Sequence, residues 1–140
     1  RILAAFRQDS AVLPRLTIRS VSGVEVGAGL NMQVASCMFF TSGIAKMASC
    51  PTRMGEVLAC GKPVVVNEGV GDVAEIIRQF RVGVVVKDDS PESMEAAVFE
   101  LDLLMLDTGL AKRCRAAAEQ YFSLDRGVAK YQALYKEILS

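Results

Sequence analysis

The chain has 140 residues, of which 51% are hydrophobic, with 16 Lys and Arg against 16 Asp and Glu and no His. This length suits one domain with a core of its own. The balanced charge offers no basic footprint for nucleic acid and no polybasic tether for a membrane surface. No apolar run approaches the roughly 20 residues that a membrane-spanning helix needs, so the apolar excess is expected in the core or in an interface.

The cysteines argue against a metal site and for a reducing compartment. Cys37, Cys50, Cys60 and Cys114 contain no Cys-x-x-Cys pair, and His is absent, so zinc is not expected. Cys37 and Cys60 lie in apolar runs, which predicts small buried side chains. With no signal peptide visible, a cytoplasmic location is expected, and peripheral attachment to a membrane stays open.

The N-terminal part of the chain predicts an alternation of helix and strand. Arg1–Asp9 is typical of an amphipathic helix and Ser10–Pro14 of a connector. The alternating, β-rich run Arg15–Val21 predicts a strand. Gly23–Gly29 is typical of a loop, and Asn31–Ser36 of a short helix or turn.

The middle of the chain predicts a strand, a loop, a short helix and a second strand. Cys37–Thr41 predicts a buried strand, whose carboxyl end delivers the loop Ser42–Cys50 to the edge where open parallel sheets bind ligands. Pro51 suits the first position of a helix, and Gly61 the position just past its end. The continuous apolar run Pro63–Val66 predicts a strand over Pro63–Asn67 that is buried on both faces.

The helix start carries the first candidate site. If the helix begins at this proline, the amides of Thr52 and Arg53 lack intrahelical acceptors and favour an anion such as phosphate. Ser49 adds a hydroxyl donor, and Lys46 adds a cationic one. Glu56 shares the helix face of Thr52 and Arg53, where a carboxylate can accept hydrogen bonds from a ribose diol. The spacing alone equally allows a solvated surface in which Glu56 only complements the helix dipole.

A second candidate loop, Glu68–Asp72, follows the buried strand. Gly69 and Gly71 would let the backbone approach a ligand closely. A tight turn with Asp72 as a helix cap explains the same residues. The loop is not a dinucleotide fingerprint, because the third glycine of Gly-x-Gly-x-x-Gly is missing.

The C-terminal half predicts helices around one more strand. Val73–Gln79 predicts a helix, Arg81–Lys87 a strand, and Ser90 the cap of a helix over Pro91–Leu106. The apolar stripe of that helix is expected in the core, and it consists of Met94, Val98, Leu101 and Met105, widened by Ala97, Phe99 and Leu104.

Two further helices complete the predicted architecture. Thr108 is expected to cap the helix Leu110–Gln120, on which Lys112, Arg113 and Arg115 form a solvated face. After Tyr121–Asp125, a final helix carries Val128, Tyr131, Leu134, Tyr135 and Ile138 at core-like spacing. The fold class is therefore α/β, with a parallel sheet covered on both faces.

The segment Lys46–Ile77 resembles the donor-binding half of the retaining, two-domain glycosyltransferases of family four. Their variant signature Ser-Pro-Thr-Lys/Arg-x-x-Glu-x-x-Ala-x-Gly-x-Pro-Val-Val likewise precedes a Gly-Val-Gly-Asp-type loop. The likeness continues loosely through Val82–Lys87 and Tyr121–Ser140 and is faint before Val34. It implies a Rossmann-like domain, one half of a GT-B fold, with helices on both faces of an open parallel sheet.

The resemblance also implies roles for individual residues. Glu56 would bind the donor ribose, and Ser49, Thr52 and Arg53 would bind the diphosphate with the local amides. The family usually has a second Glu eight residues before the ribose Glu, but here that position is Ala48. The sugar contact is therefore unassigned, with Lys46 as a candidate.

By implication, the activity is retaining transfer of a hexosyl group from a UDP-, GDP- or ADP-sugar, with no cofactor. Helix amides, Lys46 and Arg53 would stabilise the leaving diphosphate without a metal, and the absence of an Asp-x-Asp triplet agrees. The first strand and the N-terminal acceptor-binding domain of the full-length chain are expected to be missing. The 140 residues alone should then bind donor weakly and transfer nothing, which measurable turnover would overturn.

Two other functions stay open. A GT-B-fold nucleotide-sugar epimerase would usually need His and carboxylates in its cleft, and this chain has no His. A non-catalytic nucleotide-binding or interaction module is compatible with Ala48 and the missing segments. Nucleotide titrations of wild type and Glu56→Ala would separate the module from the transferase.

Overall fold

The computed structural model describes residues 15–41, 43 and 49–139 of the chain. Within these residues, three strands alternate with helices, and two further helices follow. The elements are α1 (Val26–Asn31), β1 (Ser36–Met38), α2 (Thr52–Ala59), β2 (Val64–Asn67), α3 (Val73–Phe80), β3 (Gly83–Val86), α4 (Pro91–Met105), α5 (Leu110–Tyr121) and α6 (Leu124–Leu139). The predicted helix Arg1–Asp9 and connector Ser10–Pro14 lie outside the described residues.

The three strands form one parallel sheet with β2 in the middle. β2 pairs with β1 through Val64–Val66 opposite Ser36–Met38, and with β3 through Val64–Asn67 opposite Gly83–Val86. Parallel neighbours need a crossover connection, which α2 and α3 supply. All three valines of β2 are buried, as the continuous apolar run predicts for a middle strand.

Helices cover both faces of this sheet. On one face, α2, α3 and α5 pack on β2 through one buried cluster. Its larger members are Met54, Leu58, Val64, Val66, Ile76, Ile77, Leu110 and Cys114. On the other face, α4 packs through Ala97 and Leu101 against Val65, Val84 and Val86. The predicted fold class is therefore confirmed: a Rossmann-like α/β sheet with helices on both faces, consistent with one half of a GT-B fold.

The helix ends follow local sequence signals. Gly61 adopts a positive φ of 73° just past α2, and its N–H donates to the Leu58 carbonyl at 2.8 Å. The Lys62 N–H donates to the Val57 carbonyl at 3.2 Å, which completes a Schellman motif. At the start of α4, the Ser90 hydroxyl oxygen accepts a hydrogen bond from the Ser93 N–H at 3.2 Å. The helix boundaries predicted at Gly61 and at Ser90 are both confirmed.

The turn before α4 gives stability a measurable dependence on pH. The Asp88 carboxylate accepts hydrogen bonds from the hydroxyl and the N–H of Ser90, and these bonds lower the pKa of Asp88 to about 2. A lowered pKa stabilises the fold above the unfolded value near 3.8, and the contribution is lost as the pH falls towards 2. We expect Asp88→Asn to be less stable than wild type at pH 6, with the difference shrinking between pH 4 and pH 2. Urea unfolding of wild type and Asp88→Asn between pH 6 and pH 2 measures the difference in their unfolding free energies. A difference that stays constant with pH would contradict the prediction.

The sequence prediction is wrong around α1. The residues of Arg15–Val21 form no strand, and Ile18 and Val21 are exposed; within the described residues no strand pairs with this segment. The predicted loop Gly23–Gly29 instead contains a turn and most of α1, and the turn predicted at Asn31–Ser36 follows α1 as residues 32–35.

A strand is confirmed where Cys37–Thr41 was predicted, but β1 has only three residues, begins at Ser36 and, contrary to the prediction, contains no buried residue. Cys37 is exposed and Cys60 only half-buried, so the prediction that both are buried is wrong. β1 is an edge strand of the described sheet, so the side chain of its middle residue, Cys37, is left uncovered.

The apolar faces predicted for the long helices are confirmed only in part for α4 and are wrong for α6, within the described residues. In α4, Ala97 is buried and Leu101 and Leu104 are half-buried, whereas Met94, Val98, Phe99 and Met105 are exposed. The small Ala97 lets α4 sit close on β3, and the larger side chains project beside the narrow sheet. The predicted face of α6 contains no buried residue.

The start of α5 differs as well. Gly109, rather than Thr108, occupies the cap position, and its N–H donates to the Asp107 carboxylate at 2.8 Å. Arg113 forms an ion pair with Asp107 at 2.9 Å and donates to the Arg81 carbonyl, so it is not part of a solvated basic face. Within the described residues, none of the helices is both long and apolar enough to span a membrane.

Candidate functional site at the carboxyl edge of the sheet

Three helix N-termini lie at one edge of the sheet. α2, α3 and α4 follow β1, β2 and β3, and the strands run parallel, so each helix begins on the side where the strands end. Open α/β sheets bind their ligands at this carboxyl edge. The N–H groups and the positive dipole end of each helix favour an anion there.

The start of α2 is open in the way that the sequence predicts. Pro51 occupies the cap position, with φ −70° and ψ 110°, so the helix begins one residue later than predicted. The Met54 N–H donates to the Pro51 carbonyl at 2.9 Å. Within the described residues, the N–H groups of Thr52 and Arg53 donate no hydrogen bond and no side chain caps the helix. Two backbone donors are thus available to a ligand.

The side chains on the first turns of α2 carry both signs of charge. Arg53 Nη1 lies 2.5 Å from Glu56 Oε2, and the two side chains are 53% and 50% exposed. An ion pair this exposed contributes little to stability and opens readily. The pair therefore holds Glu56 on the helix face predicted for it, without burying its carboxylate.

A cleft of about 450 Å³ borders this face of α2. Thr52, Gly55 and Glu56 line one side, and the C-terminal part of α5 lines the other. The α5 side consists of Arg115, Ala118 and Glu119, followed by Phe122 and Ser123. The Glu56 carboxylate thus lies at the mouth of a cleft rather than against packed protein.

The loop between β2 and α3 lies close to the same helix start. Gly69 and Gly71 have positive φ values of 83° and 45°, and Gly69 is exposed with open space around its Cα. Asp72 stands at the cap position of α3 but makes no side-chain cap. Burial raises the pKa of the Cys50 thiol, and the nearby Asp72 carboxylate raises it further. Cys50, just before α2, and Asp72, at the end of the glycine loop, therefore lie near each other.

The remaining candidates are less directly placed. Glu68 pairs with Arg78 of α3. Ser49 is half-buried just before Pro51. Lys46 and Ala48 lie outside the described residues, so the prediction that Lys46 contacts the donor stays a prediction. In the described part of the chain, no three His, Cys, Asp or Glu side chains converge where a metal ion would fit.

One residue at this edge was missed by sequence reasoning. The side chain of Asn67, the last residue of β2, accepts a hydrogen bond from the Phe40 N–H and donates one to the Phe40 carbonyl, both at 2.8 Å. The only signal in the sequence is a polar amide that ends a run of buried valines. The two partners are 27 residues apart, which no local pattern reports.

The fold and this edge define a class of protein: a Rossmann-like α/β domain that offers helix N-termini to an anionic ligand. The family described as glycosyl transferases group 1 matches residues 23–121, and the chain belongs to this family. The match spans α1 to α5 and includes every described candidate residue. Neither a curated protein nor a solved structure shows significant similarity to the chain. The domain is therefore a glycosyltransferase domain.

Proposed function

We propose that this domain binds a nucleoside-diphosphate sugar at the start of α2, for retaining transfer of a hexosyl group to an acceptor. The observation that carries the proposal is the open helix start, where two free N–H groups adjoin a cleft bordered by the Glu56 carboxylate. Membership of the glycosyltransferase family supports a sugar donor in general. The chemistry of the residues around the start of α2 supports the more specific proposal of a nucleoside-diphosphate sugar.

The diphosphate would lie on the helix start. The N–H groups of Thr52 and Arg53, the hydroxyls of Ser49 and Thr52, and the Arg53 guanidinium all favour negative charge there. As the sugar leaves, charge grows on the diphosphate, and fixed donors stabilise that charge without a metal ion. Arg53 would exchange its half-exposed contact with Glu56 for the phosphate oxygens.

The ribose would lie one turn further along α2. An ionised carboxylate only accepts hydrogen bonds, so Glu56 suits the two hydroxyls of a ribose and not a phosphate. Beside the phosphates, the open Gly69 and Gly71 backbone would allow close approach from the second loop. UDP, GDP and ADP share the diphosphate and the ribose and are the donors to compare.

Calorimetric titration of the chain with UDP, GDP, ADP and inorganic pyrophosphate tests both halves of the proposal. We expect Glu56→Ala to weaken the preferred nucleotide by about tenfold to hundredfold, because hydrogen bonds to a charged group are lost. Pyrophosphate has no ribose, so its affinity should not weaken. Arg53→Ala should weaken nucleotide and pyrophosphate together.

The matched control is Glu95→Ala, which removes an exposed Glu from the interior of α4. It should leave all four affinities unchanged, and a chelator should not alter nucleotide binding to wild type. Indifference of the nucleotide affinity to Glu56→Ala would refute the ribose assignment. If wild type bound none of the nucleotides, the chain would instead be a module without donor binding.

A further inference from the structure

The side chain of Asn67 continues the sheet beyond the last paired residue of β1. β1 ends at Met38, yet the backbone N–H and carbonyl of Phe40 are both satisfied by the amide of Asn67 at 2.8 Å. The same amide nitrogen lies 3.2 Å from the Glu68 carbonyl. One side chain therefore binds the segment that leaves β1 and the segment that leaves β2.

The amide of Asn67 meets both hydrogen-bonding requirements of the Phe40 backbone, which are an acceptor for its N–H and a donor for its carbonyl. The Asn67 oxygen accepts from the Phe40 N–H, while the nitrogen donates to the Phe40 carbonyl, so the pair reproduces a peptide–peptide contact. An ionised Asp would set a carboxylate oxygen against the Phe40 carbonyl. The Phe40 ring packs on the buried cluster of α2, α3 and α5, so the bonded backbone is also anchored from its side chain.

The two segments that Asn67 joins are those that carry the candidate donor contacts. The chain runs from Phe40 to Ser49 and the open start of α2, and from Asn67 to Gly69 and Gly71. Asn67 therefore supplies a hydrogen-bonded link between these two segments at the edge of the sheet.

We infer that Asn67 is a positioning residue of the donor site, which fixes the Phe40 backbone, from which the chain leads to α2, relative to the glycine loop. The inference rests on the proposed function for its ligand. It assigns Asn67 no contact with the donor. The residue acts through the Phe40 backbone.

The test compares Asn67→Ala and Asn67→Asp with wild type in UDP affinity, measured well below the thermal midpoint so that every protein is folded. We expect both variants to bind UDP about tenfold more weakly at pH 7.5, since two hydrogen bonds that fix the segment are lost or opposed. The matched control changes the other asparagine of the chain, because Asn31 is exposed at the end of α1. Asn31→Ala and Asn31→Asp should bind as wild type does.

A pH series separates positioning from a general loss of stability. When protonated, the new carboxyl group of Asn67→Asp has one donor and one acceptor and can restore both contacts with Phe40. The affinity ratio of wild type to Asn67→Asp should therefore narrow as the pH falls from 7.5 to 4, close to the usual Asp pKa of about 3.9. The ratio of wild type to Asn67→Ala should stay constant over the same range.

Amide hydrogen exchange of the unliganded proteins distinguishes failure of this inference from failure of the proposed function. Positioning by Asn67 predicts faster exchange at Phe40, Thr52 and Arg53 in Asn67→Ala, with Val64–Val66 unchanged. Faster exchange at Phe40 alone, with UDP affinity like that of the Asn31 variants, would overturn the inference. If wild type bound no nucleotide, the proposed function would fail, and unchanged exchange at Thr52 and Arg53 would then reject positioning as well.

Discussion

Gly83→Ala is expected to cost about 4 kcal/mol of unfolding free energy, because overpacking against backbone has no side chain that can yield. A Cβ at Gly83 would lie 1.9 Å from the Val64 carbonyl oxygen and 2.9 Å from its carbonyl carbon. Gly83 is paired with Val64 in the register of β2 and β3, so relief requires the two strands to separate. Thermal unfolding should show a midpoint lowered by roughly 12 °C.

Gly127→Ala is the matched control for this substitution. Gly127 lies inside α6, and a Cβ there would meet no atom within 4 Å. Alanine is favoured over glycine in an exposed helix by about 1 kcal/mol, so this variant should be as stable as wild type or more stable. If Gly83→Ala unfolded at the wild-type midpoint, β2 and β3 would not approach each other as described.

Much of the fold is predictable because its signals are local. Pro51, Gly61 and Ser90 each mark a helix boundary through the backbone geometry of one or two residues, and the structure places all three within a residue of the prediction. The valine run of β2 is equally explicit, because only a strand covered on both faces tolerates it. The alternation of these elements then gives a parallel sheet.

Packing was harder to predict because it depends on partners distant in the chain. The helical spacing of α4 predicts a core stripe centred on Met94, Val98, Leu101 and Met105, but the small Ala97 at its side decides which face approaches β3. The strand predicted at Arg15–Val21 has suitable propensity, yet a strand also needs a neighbour to pair with, and no strand pairs with it in the described residues. The close approach of Gly55 to Phe122, and that of Gly83 to Val64, cannot be recognised from the sequence.

The candidate site likewise has features that the sequence predicts and features that it does not. The open start of α2 and the shared face of Thr52 and Glu56 follow from the 3.6-residue period of a helix. The link between the two strand ends does not, because Asn67 bonds a residue 27 positions away. Sequence reasoning finds groups that one element carries, and misses those that hold two elements together.

Gly55→Ala should cost about 3 kcal/mol of unfolding free energy, because a methyl group at Gly55 would overlap the Phe122 side chain at the C-terminal end of α5. Gly55 is buried, and a Cβ there would lie 2.7 Å from both Cβ and Cγ of Phe122. Phe122 Cβ is fixed to the backbone, so the end of α5 must move away from α2. Urea unfolding should show the loss as a lower midpoint with an unchanged slope.

A double-mutant cycle with Phe122→Gly identifies the contact responsible. Removing the Phe122 side chain removes the three atoms that the new methyl group would meet, so Gly55→Ala should cost little in that background. The coupling free energy should reach about 2 kcal/mol, whereas simple additivity of the two substitutions would reject the contact. Because Gly55 and Phe122 also line the cleft beside Glu56, Gly55→Ala should weaken nucleotide binding even at temperatures where the protein stays folded, and the double variant should recover part of that affinity.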